Sequence, residues 1–185
     1  MSGDDRGMPT ALLLDGAAIG SWRLDAQQSH VAFAVKHLWG LMTVRGTFGD
    51  VRGEATVDAA GAVSVTITVD ASSVDTKQGR RDEHLRSADF FDVASHPTMT
   101  FVSTAVNPRA DGTLDVTGVL TLLGHAHPID TVVALSDATP ESAIAVTDLT
   151  IDRTLFGITW GPMRMASADV LVSARLCFVR MVASR

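Results

Sequence analysis

The sequence predicts an all-β fold, an antiparallel barrel, on the strength of three observations. Apolar and polar residues alternate with period two in segment after segment from Trp22 onward. Turn residues punctuate those segments at short intervals: Ala60-Gly61, Asn107-Pro108, Asp111-Gly112, Gly124 and Thr139-Pro140. Each segment offers one apolar side only, and closing such a sheet on itself removes its exposed edges.

The elements follow in chain order. Val31, Phe33, Val35 and His37 share one face of a strand, which is followed by strand candidates Thr43–Phe48 and Gly53–Val57. Val63, Val65, Ile67 and Val69 line up in the next, and Thr98–Val106 in another. Leu114, Val116, Gly118, Leu120 and Leu122 form a further series, with Asp115, Thr117 and Thr121 pointing the other way. Ile129–Leu135, Ala143–Arg153 and Asp169–Phe178 complete the set. A one-residue slip would invert every face, so the register must be firmly set. The charged stretch Asp75–Phe91 lacks alternation. It predicts a short helical insertion around residues 82–91, capped by Asp82, with His84, Leu85 and Ala88 on one side and Phe90 and Phe91 anchoring it to the barrel.

Composition bounds the function. The chain has 185 residues, 46% apolar and 19% charged, which suits one globular domain with a sizeable core. Residues 1–20 read as an N-terminal extension, 21–180 as the barrel and 181–185 as a tail. Abundant Val and Thr favour pleated, half-buried surfaces. A net charge of −6 disfavours a nucleic-acid partner and simple adsorption to anionic lipid. The lone Cys177 excludes an intrachain disulfide and packs as a small hydrophobe in its strand. Over Met1–Gly20 the start is acidic and the apolar run Ala11–Leu14 is broken by Asp15-Gly16, so no export signal is visible and a cytoplasmic location is expected. No stretch approaches the ~20 apolar residues of a transmembrane helix.

Catalytic constellations are absent from the pattern. No Gly-x-Ser-x-Gly, phosphate loop or dinucleotide fingerprint occurs. His125-x-His127 is the most metal-like pair, but a third ligand such as His96 or Asp130 is not supplied by spacing, and flanking Gly124 and Pro128 suggest a tight turn. Asp82, Glu83 and Asp89 read as a solvated face. The expectation is therefore a non-enzyme with no metal and no catalytic residues. His37, just before Leu38-Trp39-Gly40, continues an apolar face and either bonds a ligand at the barrel mouth or is satisfied by a backbone carbonyl. Arg153 follows Ile151 and serves as a salt bridge, a loop clamp or a ligand contact.

Several ordered motifs resemble the YceI-like family. They are Asp25 with His30-Val31-Ala32-Phe33-Ala34-Val35-Lys36-His37, Val44-x-Gly46-x-Phe48, Val69 through Thr76, and Arg81 through Val93. His96 through Phe101, Gly118 through Gly124 and Ile151 through Ile158 continue the match, which runs from about Trp22 to Phe178. The resemblance implies an extended, eight-stranded, lipocalin-like antiparallel barrel with a helical insertion. It also implies a pore for a polyisoprenoid chain, an isoprenoid quinone or a fatty amphiphile, and a homodimer, since members often pair. Family members are commonly exported to the periplasm. His125-Ala126-His127 stands where the family more often has a β-branched residue, Thr and a basic residue, and Trp22 replaces a frequent Tyr.

The implied ligand-binding residues are Val31, Phe33, Val35, His37, Phe48, Val65, Ile67, Phe101, Leu120, Ile151 and Arg153. Gly46 and Gly118 interrupt apolar faces, either leaving room for a ligand or helping the sheet curl. Binding, storage or transport of a long apolar ligand is the leading expectation. The alternatives are a ligand-free interaction or stress-related module with a packed interior, and a lipid-modifying enzyme.

Overall fold

The computed structural model describes residues 17–37, 41–159 and 166–181. Most of the expected N-terminal extension, the segment 38–40 and the end of the tail lie outside these residues. Within them the chain forms strands β1 (Gly20–Leu24), β2 (His30–His37), β3 (Met42–Phe48), β4 (Val51–Val57), β5 (Val63–Asp70) and β6 (Val74–Asp75), then helix α1 (Gly79–Arg86). Strands β7 (Thr98–Pro108), β8 (Thr113–Leu122), β9 (His125–Ser136), β10 (Ser142–Asp152) and β11 (Ala166–Arg180) follow.

All neighbours pair antiparallel in the order β1-β4-β5-β7-β8-β9-β10-β11, and β1 returns to β11 to close an eight-stranded barrel. Strands β2, β3 and β6 are not extra staves. β2 continues β1 along β11, β3 pairs β2 just as β4 pairs β1, and β6 pairs β3 just as β5 pairs β4. Three adjacent staves are thus each built of two pieces, while β7 to β11 run unbroken. The interruptions are bridged by single bonds: the Asp25 N–H donates to the Cys177 carbonyl, the Cys177 N–H to the buried Ser29 hydroxyl (2.9 Å), and the Asp70 N–H to the Asp50 carbonyl. Burial pushes the Cys177 thiol pKa up, as expected of a small packed side chain.

Two features of the wall were hidden in the sequence. A bulge between Ser103 and Ala105 shifts the pairing of β7 with β8. It changes the parity of the lumen-facing residues from Met99 and Phe101 to Val106, because one extra residue inverts a period-two pattern. Strands β9 and β10 keep only three register pairs, beside their hairpin. Beyond these, the Thr147 hydroxyl donates to the Val132 carbonyl (2.9 Å) and lies 2.6 Å from Thr131 Oγ1. The 3₁₀ turn Arg153–Phe156, capped by Asp152, packs against the free end of β9. Its Phe156 is fully buried, with its ring edge-on to His127.

The insertion differs from expectation. Helix α1 starts at Gly79, its N-cap is Gln78 without a side-chain bond, and it ends at Arg86. Asp82 is no cap and does not belong to a solvated face. It is buried and accepts hydrogen bonds from the N–H and the hydroxyl of Thr76, whereas Glu83, Ala88 and Asp89 are exposed. Arg86 ties the helix to the wall by donating to the carbonyls of Ser72 and Val74. The helix stands where β6 has no strand partner on its far side, so it completes the barrel wall there. His125 and His127 lie on β9, not in a turn. The turn itself is Leu123-Gly124, both at positive φ (53° and 75°), a left-handed pair that suits a two-residue hairpin.

Candidate ligand-binding cavity

The inward face of each strand is the apolar series read from the sequence, and the space those faces enclose is hollow. It divides into an upper chamber of about 410 Å³, at the end carrying the 123–124 turn and the 153–156 turn, and a lower chamber of about 270 Å³, at the end carrying hairpins 58–62, 109–112 and 137–141. Val31, Ile67, Val69, Phe101, Leu120, Ile151 and Val172 border both, so they form the waist of the barrel between the two chambers. From Leu114 to Leu122 along β8, eight residue steps at ~3.3 Å and a tilt of about 40° give a lumen on the order of 20 Å long.

Every one of the eleven residues singled out from the sequence borders this lumen. Val31, Phe33, Val35, His37, Phe48, Ile67, Phe101, Leu120, Ile151 and Arg153 face the upper chamber; Val65 faces the lower, where Val31, Ile67, Phe101, Leu120 and Ile151 recur. The chambers are also lined by residues not foreseen. Arg81, His84, Leu85, Phe90 and Phe91 of the helical insertion form part of the upper wall, with Phe91 edge-on to Phe48 (5.6 Å between centroids). Trp22, Ala18, Val57 and Phe178 close the lower end and are themselves buried. The Trp22 indole N–H donates to the Ala18 carbonyl (2.9 Å), and the Arg180 guanidinium stacks 5.0 Å over its ring. Val170 and Val172 could have been found from the period-two pattern of β11. The lining role of α1 could not, because a charged, non-alternating segment carries no such signal.

Gly46 and Gly118 do not leave room for a ligand directly. Phe33 sits opposite Gly46, and its ring occupies the space a Cβ would need; the Phe101 ring does the same at Gly118. Each ring packs over its glycine, where a larger residue would push it away. Glycine therefore keeps the channel open at one remove.

The polar lining is concentrated at the top. His37, Arg81, His84 and Arg153 border the upper chamber, whereas Thr131, Thr139 and Thr147 are the polar residues of the lower one. Arg153 is a loop clamp: Nε donates to the Ser167 carbonyl (2.9 Å), Nη1 to Ile158 (2.6 Å) and Nη2 to Ala166 (3.4 Å). Burial pushes its pKa down from the usual value. Arg81 donates from Nε to Thr76 Oγ1 (2.7 Å) and from Nη2 to the Thr76 carbonyl (2.8 Å). Among the described residues no group of three or more His, Cys, Asp or Glu side chains could hold a metal ion, and no helix is long and apolar enough to cross a membrane.

Residues 22–178 match the model of the YceI-like domain. A UPF0312 protein of Ectopseudomonas mendocina is 43% identical over 129 residues, covering 64% of this chain and 67% of the relative. Protein YceI of Salmonella arizonae is 39% identical over 127 residues, covering 66% of this chain and 65% of the relative. The matched part of the chain thus spans about two thirds of the length of these relatives. Among solved structures, BcnA of Burkholderia cenocepacia superposes with a TM-score of 0.75 at 24% identity, covering 83% of this chain and 98% of that one. A polyisoprenoid binding domain from Saccharophagus degradans, implicated in plant cell wall breakdown, gives 0.73 at 19% identity, covering 86% and 98%. At these identities the likeness speaks for the fold.

Proposed function

This chain belongs to the YceI-like family, and from that premise we propose that it binds a single long-chain apolar ligand inside its barrel, as a carrier or store and not as an enzyme. One observation carries the reading: two apolar chambers, of about 410 and 270 Å³, lie end to end and share seven lining residues within a barrel whose wall spans on the order of 20 Å. A polyisoprenoid, an isoprenoid quinone or a fatty amphiphile has the slender shape such a channel accepts. Each methylene-sized group removed from water contributes about 0.8 kcal/mol before ordering costs, so a chain filling both chambers binds tightly without a specific polar contact. The polyisoprenoid binding of the Saccharophagus degradans domain supports this reading, since that domain shares the barrel. A ligand-free module needs a packed interior, which the cavity volumes disfavour.

The test is native mass spectrometry of the full chain purified from its own host, followed by solvent extraction. A bound species that extracts as one long-chain lipid class is the expected result. Repeated spectra of bare protein from that source would refute the carrier reading.

A further inference from the structure

At the lower end of the barrel an apolar series runs into a cation. Val170, Val172, Ala174, Leu176 and Phe178 face the lumen at every second position of β11, and the next residue in that series is Arg180. It pairs in register with Trp22 of β1, and its guanidinium lies 5.0 Å over the indole. Gly20, the next residue on that face of β1, has no side chain. A Cβ there would stand 3.8 Å from Arg180 Nη1, so the guanidinium reaches across the last rung of the strand. Its Nη2 donates to the Ala17 carbonyl, while Nε is buried without a hydrogen-bond partner. The indole is only 5% exposed and is fixed by its own N–H on the Ala18 carbonyl, with Ala18, Val57 and Phe178 buried around it.

The two layers differ in chemistry. Trp22 borders the lower chamber and Arg180 does not. An alkyl chain meets the indole as one more apolar wall. To go past it, the chain would have to displace the guanidinium from the ring and lay hydrocarbon against a charge, and both steps are unfavourable.

Resting on the reading that the lumen holds a long apolar tail, we propose that Trp22, backed by Arg180, is the stop that sets how long a tail the protein accepts. From Leu122 at the top to Leu114 beside the floor the lumen is on the order of 20 Å long. An extended chain with C–C bonds of ~1.5 Å at ~111° advances about 1.25 Å per carbon, so about sixteen carbons, or about four isoprene units, reach the stop. A shorter tail leaves part of the lower chamber unfilled, and a longer one keeps its excess at the upper end. The apolar end of the ligand is the one that meets Trp22, because the only polar side chains lining the lower chamber, among the described residues, are three threonines. The stop acts on length and is indifferent to the headgroup.

Two independent measurements test it, both on the full chain stripped of lipid on a hydrophobic resin. In the first, saturated fatty acids from decanoate to docosanoate displace a fluorescent fatty probe. Affinity should rise by up to about fourfold per added carbon as far as about sixteen carbons, then level off or fall. Trp22→Ala should move that break to tails about four carbons longer, whereas Trp22→Phe, which still fills the floor, should leave it in place. The position of the break does not depend on how much of a variant folds. Because Trp22 belongs to the buried core, the second measurement keeps it. In a Trp39→Phe/Trp160→Phe chain Trp22 is the one remaining indole. There 16-bromohexadecanoate should quench its fluorescence at least about twofold more than 2-bromohexadecanoate, since bromine quenches on contact. Equal quenching by the two, or an affinity that climbs steadily to docosanoate, would overturn the stop while leaving lipid binding standing. The steady climb would mean that tails pass beside the indole, along Ala138 and Thr139, which also border the lower chamber. A break unmoved in folded Trp22→Ala would overturn it as well. Failure of every fatty acid to displace the probe would sink both proposals together.

Discussion

The lower chamber is walled mostly by Val, Ala and Leu from strands alone, floored by Trp22 and, among the described residues, free of ionisable groups, whereas the upper chamber borrows part of its wall from α1 and the 153–156 turn and brings in two arginines and two histidines. The difference shows how one barrel can separate two tasks. Repetitive alternation gives an apolar wall, and α1 and the 153–156 turn bring Arg81, His84 and Arg153 to its upper end. It also predicts that substitutions of the same kind will have different consequences at the two ends.

The largest expected effect is at Phe156, which is 0% exposed and roots the upper turn. Phe156→Ala should cost the ~3–5 kcal/mol of a buried aromatic truncation in chemical denaturation. Phe101→Ala at the waist should cost less than that, since one side of the ring borders open lumen; an equal loss at both would mean that the waist is packed shut. Next come paired charge insertions. Val133→Asp places a carboxyl in the lower chamber, where no cation faces it, at a cost of roughly 3 kcal/mol. Its folded pKa would be raised, so the penalty should grow as pH rises above about 4. Val35→Asp, in the chamber holding His37 and Arg153, should be milder and show little of that trend. A similar loss in the two variants would erase the electrostatic distinction between the chambers.

Gly118→Ala brings a Cβ within 2.6 Å of the Val102 carbonyl and drives the Phe101 ring off the wall into the waist. A stability loss of about 1–3 kcal/mol is expected, together with weaker binding of a full-length tail than of a short one. The same change at Gly46 meets Thr76 Cγ2 at 2.8 Å and the Phe33 ring, so it should perturb the upper chamber first. Discrimination between tail lengths that stays intact in Gly118→Ala would count against a through-going channel. The smallest effect is acid sensitivity. Hydrogen bonds from Ser72 and Thr154 hold the Asp70 and Asp152 carboxyls below the usual carboxylate range. Their stabilisation is complete above the unfolded pKa near 4 and is lost as pH falls through the lower folded values. Thermal melts should therefore drop on acidification below about pH 4, and Asp152→Asn should flatten part of that slope.

How much of this was legible varies along the chain for physical reasons. The series Val31 to His37 and Leu114 to Leu122 announced both their strands and their lumen faces, because a half-buried sheet imposes its period on the sequence. Gly46 and Gly118 were visible as interruptions, but their use was not, since it depends on aromatic rings arriving from neighbouring strands. The bulge at Ser103–Ala105 inverts the period without any Gly or Pro to mark it. Strand β6 is two residues long and leaves no periodic trace. Arg81 and Asp82 were hardest to place. In a charged segment, composition argues for solvent, and only the fold reveals that Asp82 faces Thr76 and Arg81 the lumen.

The breaks at residues 25–29, 49–50 and 71–73 lie side by side, so together they make a crease across three staves of the wall. Uninterrupted ladders resist bending along their length, and here only isolated bonds, such as Ser29 to Cys177, span the fold line. A vessel with three jointed staves has a hinge line on that flank, and the sparse pairing of β9 with β10 gives the opposite flank a seam that runs along the strands instead of across them.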